Sequence, residues 1–323
     1  MYDAGSEISI RIALGVAAVS YAAAGVAVIH MVALRLLRTR QRRLRTRAAA
    51  TWLPVVRDWV LGGTANLPRL SPVARPVLLN QWLHAHDAFQ GDVTARLNEL
   101  ARAVGLDDFI AQLLRRPVGD ERLQAVIACG YLGASAHWDR LAAELDGDDA
   151  LLALAAARAM IRIDAERGLP AVLDQVERRT VWHERRTRTI FDGPERGALT
   201  EQLATRLGRA GPLAFQRLLG LVEVADGAEL SPIIAARISS FDDPELVADC
   251  LRMLRGPAHG EQVRAFLDHP VWFVRVRALA SMEATLVPAD RSRLQELVRD
   301  PAWWVAHRAQ ELLAQLDGEG GRP

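Results

Sequence analysis

The sequence predicts an all-α protein: a single N-terminal transmembrane helix followed by an α-solenoid. Three observations carry that expectation. An uncharged apolar run of twenty-three residues lies near the N-terminus. Short apolar-periodic segments without alternating strands follow it, and the chain resembles itself at a spacing of about thirty residues.

The apolar run reads IALGVAAVSYAAAGVAVIHMVAL, Ile12 to Leu34, with Ser20, Tyr21 and His30 as its polar interruptions. At about 1.5 Å per residue it is long enough for a hydrocarbon core of roughly 30 Å, and a core helix of that length would show a polar stripe. Asp3, Glu7 and Arg11 precede the run, and RLLRTRQRRLRTR follows it, seven arginines between Arg35 and Arg47. A secretory signal peptide has the opposite charge order, so a retained anchor over residues 1–37 is expected. Arginine-rich flanks stay cytoplasmic, which puts the N-terminus outside the inner membrane and everything after Leu34 in the cytosol. In the juxtamembrane segment, residues 38–50, and just before it, Arg35, Arg38, Arg40, Arg42, Arg43, Arg45 and Arg47 are expected at anionic lipid headgroups, each contributing about 1 kcal/mol.

The whole chain has a formal net charge of +1. Removing Arg11 and the seven arginines of the run from its 40 basic residues, and Asp3 and Glu7 from its 39 acidic ones, leaves −5 for residues 48–323. Such a domain is a poor partner for phosphate backbones, so no nucleic acid is expected. Every basic residue is arginine; there is no lysine, a trait that reads as compositional bias. Cys129 and Cys250 lie far apart in apolar helical contexts, which predicts buried free thiols rather than a disulfide framework or a zinc cluster.

Residues 51–116 read as an atypical helical cap, residues 117–316 as the solenoid and 317–323 as a disordered tail. Within the solenoid, HPVWFVRVRALASM from His269 and DPAWWVAHRAQELL from Asp300 align with Pro270 on Pro301, Trp272 on Trp303, Val274 on Val305, Arg277 on Arg308 and Ala278 on Ala309, a period of thirty-one. Upstream, the segments from Asp120 and Asp149 each give a helix, a turn and a second helix, and DDPELVADCLRML from Asp242 begins a less regular copy. Aspartate at each turn can cap the helix that follows, and proline at a first helical position sacrifices no hydrogen bond.

At these residues the chain resembles the HEAT-repeat family, in the short bacterial form of phycobilisome lyase-like proteins. The Asp300-Pro301 turn and the Val274-Arg275 step match its pattern, while Val305-Ala306 lacks the arginine. The resemblance covers Asp120 to Val176 and Asp242 to Leu316, and Trp52 to Arg116 loosely. It implies helical hairpins stacked on one another and presenting an extended surface to a partner.

The largest break in the rhythm is ERRTVWHERRTRTIFDGPERG, residues 177–197. Arg178, Arg179, Trp182, Arg185, Arg186 and Arg188 form either a docking element for an acidic partner or headgroups, or a solvated helix end with Trp182 plugging the core. Trp272, Phe273, Trp303 and Trp304 occupy equivalent positions in consecutive repeats. Adjacent residues on a helix point in different directions, so either all four pack internally or one of each pair is exposed, which makes Trp272 and Trp303 candidate partner contacts.

No catalytic residue, metal or cofactor is expected. His84 and His86 are two apart and point to different helix faces, and there is no CxxC, phosphate loop or nucleophile elbow. HEAT-fold iron hydroxylases carry several His-Glu pairs; this chain has one, His183-Glu184. The expectation is therefore a non-catalytic, membrane-anchored scaffold that binds a membrane protein or complex. By resemblance, single-span HEAT proteins of this layout look like accessory subunits beside membrane glycosyltransferases of polysaccharide synthesis. The alternative is a HEAT-like nucleic-acid-binding protein or DNA glycosylase-type enzyme, which the acidic balance and the anchor oppose.

Overall fold

Helices and short 3-10 turns make up all the regular structure in the computed structural model, which describes residues 4–63, 66–117, 119–179, 182, 187–191, 193, 195–254 and 257–319, without the side chains of 4–26, 257, 284, 318 and 319. The chain divides into two units, Met1–Arg115 and Arg116–Pro323.

The first unit holds α1 (Ala4–Val60), α2 (Ala74–Ala88), α3 (Asp92–Ala103) and α4 (Leu106–Leu114). α1 runs unbroken past residues 37 and 50, where sequence boundaries were expected. Leucine, alanine and arginine are strong helix formers, and no glycine or proline stands between Gly25 and Pro54 to interrupt them. Among its described side chains, those of its last turns are the ones packed. Trp52, Val55 and Val56 are buried with Leu78, Leu79 and Trp82 of α2, Leu97 and Leu100 of α3, and Ile110 of α4. Indole hydrogen bonds tie the unit together: Trp59 Nε1 donates to the Arg96 carbonyl at 2.8 Å and Trp82 Nε1 to that of Leu97 at 2.7 Å.

The expected membrane anchor is corrected here. Among the described residues no helix is long and apolar enough to cross a membrane. The apolar part of α1 with described side chains is Ala27 to Leu34, about 12 Å of helix before Arg35 begins the charged stretch, against a hydrocarbon core of roughly 30 Å. The side chains of residues 12–26, the rest of the expected span, lie outside the description. The single-pass localisation with a cytosolic solenoid is not retained, and the topology inferred from it goes with it.

The second unit is a two-layered stack of helices, compatible with an α-solenoid. It comprises α5 (Asp120–Leu132), α6 (Trp138–Asp146), α7 (Ala150–Ile163), α8 (Ala165–Arg178), α9 (Arg196–Arg209), α10 (Pro212–Leu219), α11 (Gly227–Arg237), α12 (Pro244–Met253), α13 (Gly260–Arg264), α14 (Trp272–Met282), α15 (Arg291–Leu297) and α16 (Trp303–Glu319). α5 packs on α7 and α9 on α11 in one layer; α8 packs on α10, α12 on α14 and α14 on α16 in the other. These helices thus meet their next-but-one neighbours, the arrangement that buries a continuous core when no single hairpin can. Aspartates start several of these helices. Asp149 accepts from the Leu151 and Leu152 amides, Asp226 from those of Ala228 and Glu229, and Asp243, rather than Asp242, from that of Glu245.

α5 and α7 pack closely on small residues: Gly130 lies against Ala159, and Ala125, Ala128 and Cys129 of α5 and Ala153, Ala156 and Ala157 of α7 are buried as well. A Cβ on Gly130 would lie 2.7 Å from Ala159 Cα. In isolation, Gly→Ala inside a helix gains about 1 kcal/mol, whereas overpacking a tight core costs about 1–3 kcal/mol. Gly130→Ala should therefore lower the unfolding free energy by about 1 kcal/mol in urea titrations. Gly208→Ala in α9, where a Cβ meets open space, should leave it unchanged or raise it.

Candidate partner-binding surface

Two regions carry the partner-contact residues singled out in the sequence, and the structure treats them oppositely. In the break after α8, the described arginines turn to their own chain. Arg178 pairs with Asp174 at 3.7 Å along the helix. Arg179 donates to Gln175 Oε1 at 2.8 Å and to the Leu145 carbonyl at 2.7 Å, its guanidinium 5.6 Å from the Trp182 ring centroid. Arg188 donates to the Gly220 carbonyl at 2.9 Å and forms an ion pair with Glu223. Arg185 and Arg186 lie outside the described residues.

Trp182 is buried, 9% exposed, its indole nitrogen without a hydrogen-bond partner among the described residues. It lines a cavity of about 240 Å³ with Val176, Arg179, Gln216 and Arg217. Of the two readings open from sequence, its placement is that of a plug.

The C-terminal aromatics are the reverse. Trp272 is 45% exposed, Trp303 62% and Trp304 59%, while Phe273 is half-buried. Trp272 meets Phe273 edge-on, and Trp303 meets Trp304 edge-on at 4.6 Å. His307, one turn on, stacks flat on Trp303 at 4.9 Å with 8° between the planes. Beneath them Val274 and Val305 are fully buried, so each helix anchors through the valine two residues past its leading tryptophan. None of the three indole N–H groups donates to a partner among the described residues, which leaves three donors on an apolar surface.

An ion pair fixes the spacing of this surface. Arg275, on the first turn of α14, donates from Nε and Nη2 to the two carboxylate oxygens of Asp300, both at 2.8 Å, and from Nη1 to the carbonyls of His269 and Pro270. Asp300 also accepts from the Ala302 amide at 2.8 Å, just before α16. The start of the tryptophan-bearing helix α14 is thereby bonded to the turn that launches α16. Arg264 holds Asp290 in the same bidentate manner, at 2.6 and 2.8 Å. The sequence signals for the first clasp were the Val-Arg step and the Asp-Pro turn; Ala306 stands where Arg275 does, and among the described residues no further turn follows α16. Missed in the sequence was the stacking of His307, whose only cue is its position four residues after Trp303.

The remaining chemistry-bearing groups are dispersed. Cys129 and Cys250 are fully buried, and burial pushes both thiols up to about 12. His86 is buried against Trp82, whereas His84 is exposed and bonds the Asn80 carbonyl. No group of three metal-ligating side chains occurs among the described residues. The chain matches no protein-family model, and no curated protein matches it.

Burial alone would raise the Asp300 carboxyl, but the bonds from Arg275 and the Ala302 amide, with the guanidinium charge, outweigh it and hold the group below its ordinary value. A carboxylate lowered in the folded state stabilises above the unfolded value, about 3.9, and that contribution disappears as pH falls through the folded value. Asp300→Asn leaves the mostly buried Arg275 uncompensated and should cost about 3 kcal/mol at pH 7. Denaturant titrations should find that deficit constant from about pH 7 to 5 and shrinking below about pH 4.

Proposed function

We propose that this chain is a non-catalytic helical-repeat scaffold that binds a protein partner through the aromatic surface at the starts of α14 and α16. The exposure of Trp272, Trp303 and Trp304 carries the reading. Large aromatics are ordinarily among the more buried residues, and tryptophan is enriched at the few interface positions that dominate binding energy. The three rings stand on helices whose relative position is held by the Arg275–Asp300 clasp, so little ordering remains to be done on association. The HEAT resemblance supports the same reading, since repeat stacks present extended surfaces to partners. Both thiols are protonated at neutral pH, so neither supplies a nucleophile. A membrane position is no part of the proposal.

The test is affinity capture with the full chain and with a Trp272→Ser, Trp303→Ser, Trp304→Ser variant. A protein held by the native chain should be lost from the variant, while each substitution moves stability by less than about 0.5 kcal/mol, as solvent-facing changes do. Retention of every captured protein by the variant overturns the reading.

A further inference from the structure

The seven arginines between Arg35 and Arg47 of α1 lie within a sequence repeat. Residues 34–40 read LRLLRTR and residues 41–47 read QRRLRTR, identical at five of seven positions: Arg35 and Arg42, Leu37 and Leu44, Arg38 and Arg45, Thr39 and Thr46, Arg40 and Arg47. A seven-residue period on a helix keeps one stripe in line with a partner helix. Leu34, Leu37, Gln41, Leu44 and Ala48 follow each other at spacings of three, four, three and four, the a and d positions of such a stripe. Both flanks, e and g, are then arginine throughout: Arg38 and Arg45 on one side, Arg40 and Arg47 on the other.

The structure leaves this stripe uncovered. Every residue from Ala27 to Arg47 is exposed, with Leu37 at 56% and Leu44 at 39%. Thr39 and Thr46, on the opposite face, bond back to the carbonyls of Arg35 and Arg42 at 2.8 and 3.0 Å, so the outward polar groups are satisfied within the helix. None of the seven guanidinium groups forms an ion pair among the described residues, and the sequence has no acidic residue between Glu7 and Asp58.

We propose that residues 34–48 of α1 form one half of a two-helix coiled coil, the other half being an amphipathic helix of a partner protein with carboxylates flanking its own apolar stripe. Charge selects the occupant. In a parallel pair g faces e of the partner, and in an antiparallel pair e faces e and g faces g, so a second copy of this helix sets arginine against arginine in either orientation. Glutamate or aspartate at those positions turns every such contact into a charge-assisted bond. Gln41 at an a position is the polar residue that fixes register at some expense of stability. α1 is already helical here because it continues into a packed terminus, so only the partner has to be ordered. This surface belongs to the first unit and stands independently of the tryptophan surface of the second.

The experiment titrates the full chain into a labelled synthetic peptide of about four heptads with leucine at a and d and glutamate at e and g. Two control peptides carry arginine at e and g, or the acidic composition in scrambled order. The acidic heptad peptide should bind, gain helical circular dichroism and weaken at least tenfold in about 0.5 M salt, where screening shortens to roughly 4 Å. Leu37→Ser with Leu44→Ser should abolish binding with all arginines in place. Arg38→Glu, Arg40→Glu, Arg45→Glu and Arg47→Glu together should transfer binding to the arginine-flanked peptide. The proposal is overturned if the scrambled peptide binds equally, if the leucine variant binds unchanged, or if the native chain self-associates through these leucines. It is equally overturned if the chain sediments with phosphatidylserine–phosphatidylcholine vesicles and ignores the heptad peptide.

Discussion

The helical stack of the second unit depends on arginines that reach about one repeat away. A helix ends with four carbonyls lacking partners and with the negative end of its dipole, and a guanidinium supplies charge and a fork of donors at once. Arg179 meets the Leu145 carbonyl at the end of α6, Arg217 that of Glu177 at the end of α8, and Arg237 those of Leu207, Gly208 and Ala210 at the end of α9. Arg206, nearly buried, joins Asp174, Glu177 and the Pro170 carbonyl. Towards the C-terminus the acceptors become carboxylates, Asp290 for Arg264 and Asp300 for Arg275. Arg237 spreads its bonds over two nitrogens, Nη1 to Leu207 and Gly208 and Nη2 to Ala210, whereas a lysine ammonium would have to bring all three carbonyls to a single atom. The absence of lysine, which reads as compositional bias, is put to structural use at these seams.

Much of the fold was legible because its cues are local. Aspartate caps, helix-length apolar periods and the thirty-one-residue alignment of Trp272 with Trp303 all reside within short windows of sequence. What was not legible is set by contacts between distant residues. Arg179 and Arg188 look like surface charges in a break, yet their acceptors at Leu145 and Gly220 are more than thirty residues away. Trp182 carries no periodicity to mark it as buried. Of the aromatic pairs, sequence could say only that neighbours point apart; the rotation of α14 about Val274 turns Trp272 outward and leaves Phe273 half-covered.

The N-terminal reading failed for a related reason. Hydropathy over Ile12 to Leu34 treats the run as one object, whereas α1 is a single helix whose described part passes from exposed apolar residues through exposed arginines into a packed end without a break. Composition divides that helix into an anchor, a linker and a cap; backbone geometry does not.

The two cysteines have a practical consequence. Burial pushes both thiols well above the ordinary cysteine value, so they stay protonated at neutral pH, and both side chains are sealed from solvent. To maleimides, peroxide or glutathione the folded chain behaves as though it had no cysteine at all. A single cysteine placed beside Trp303 or Leu44 would be the sole reactive sulfur, so dyes or spin labels could be set on either surface without first stripping the native residues from the core.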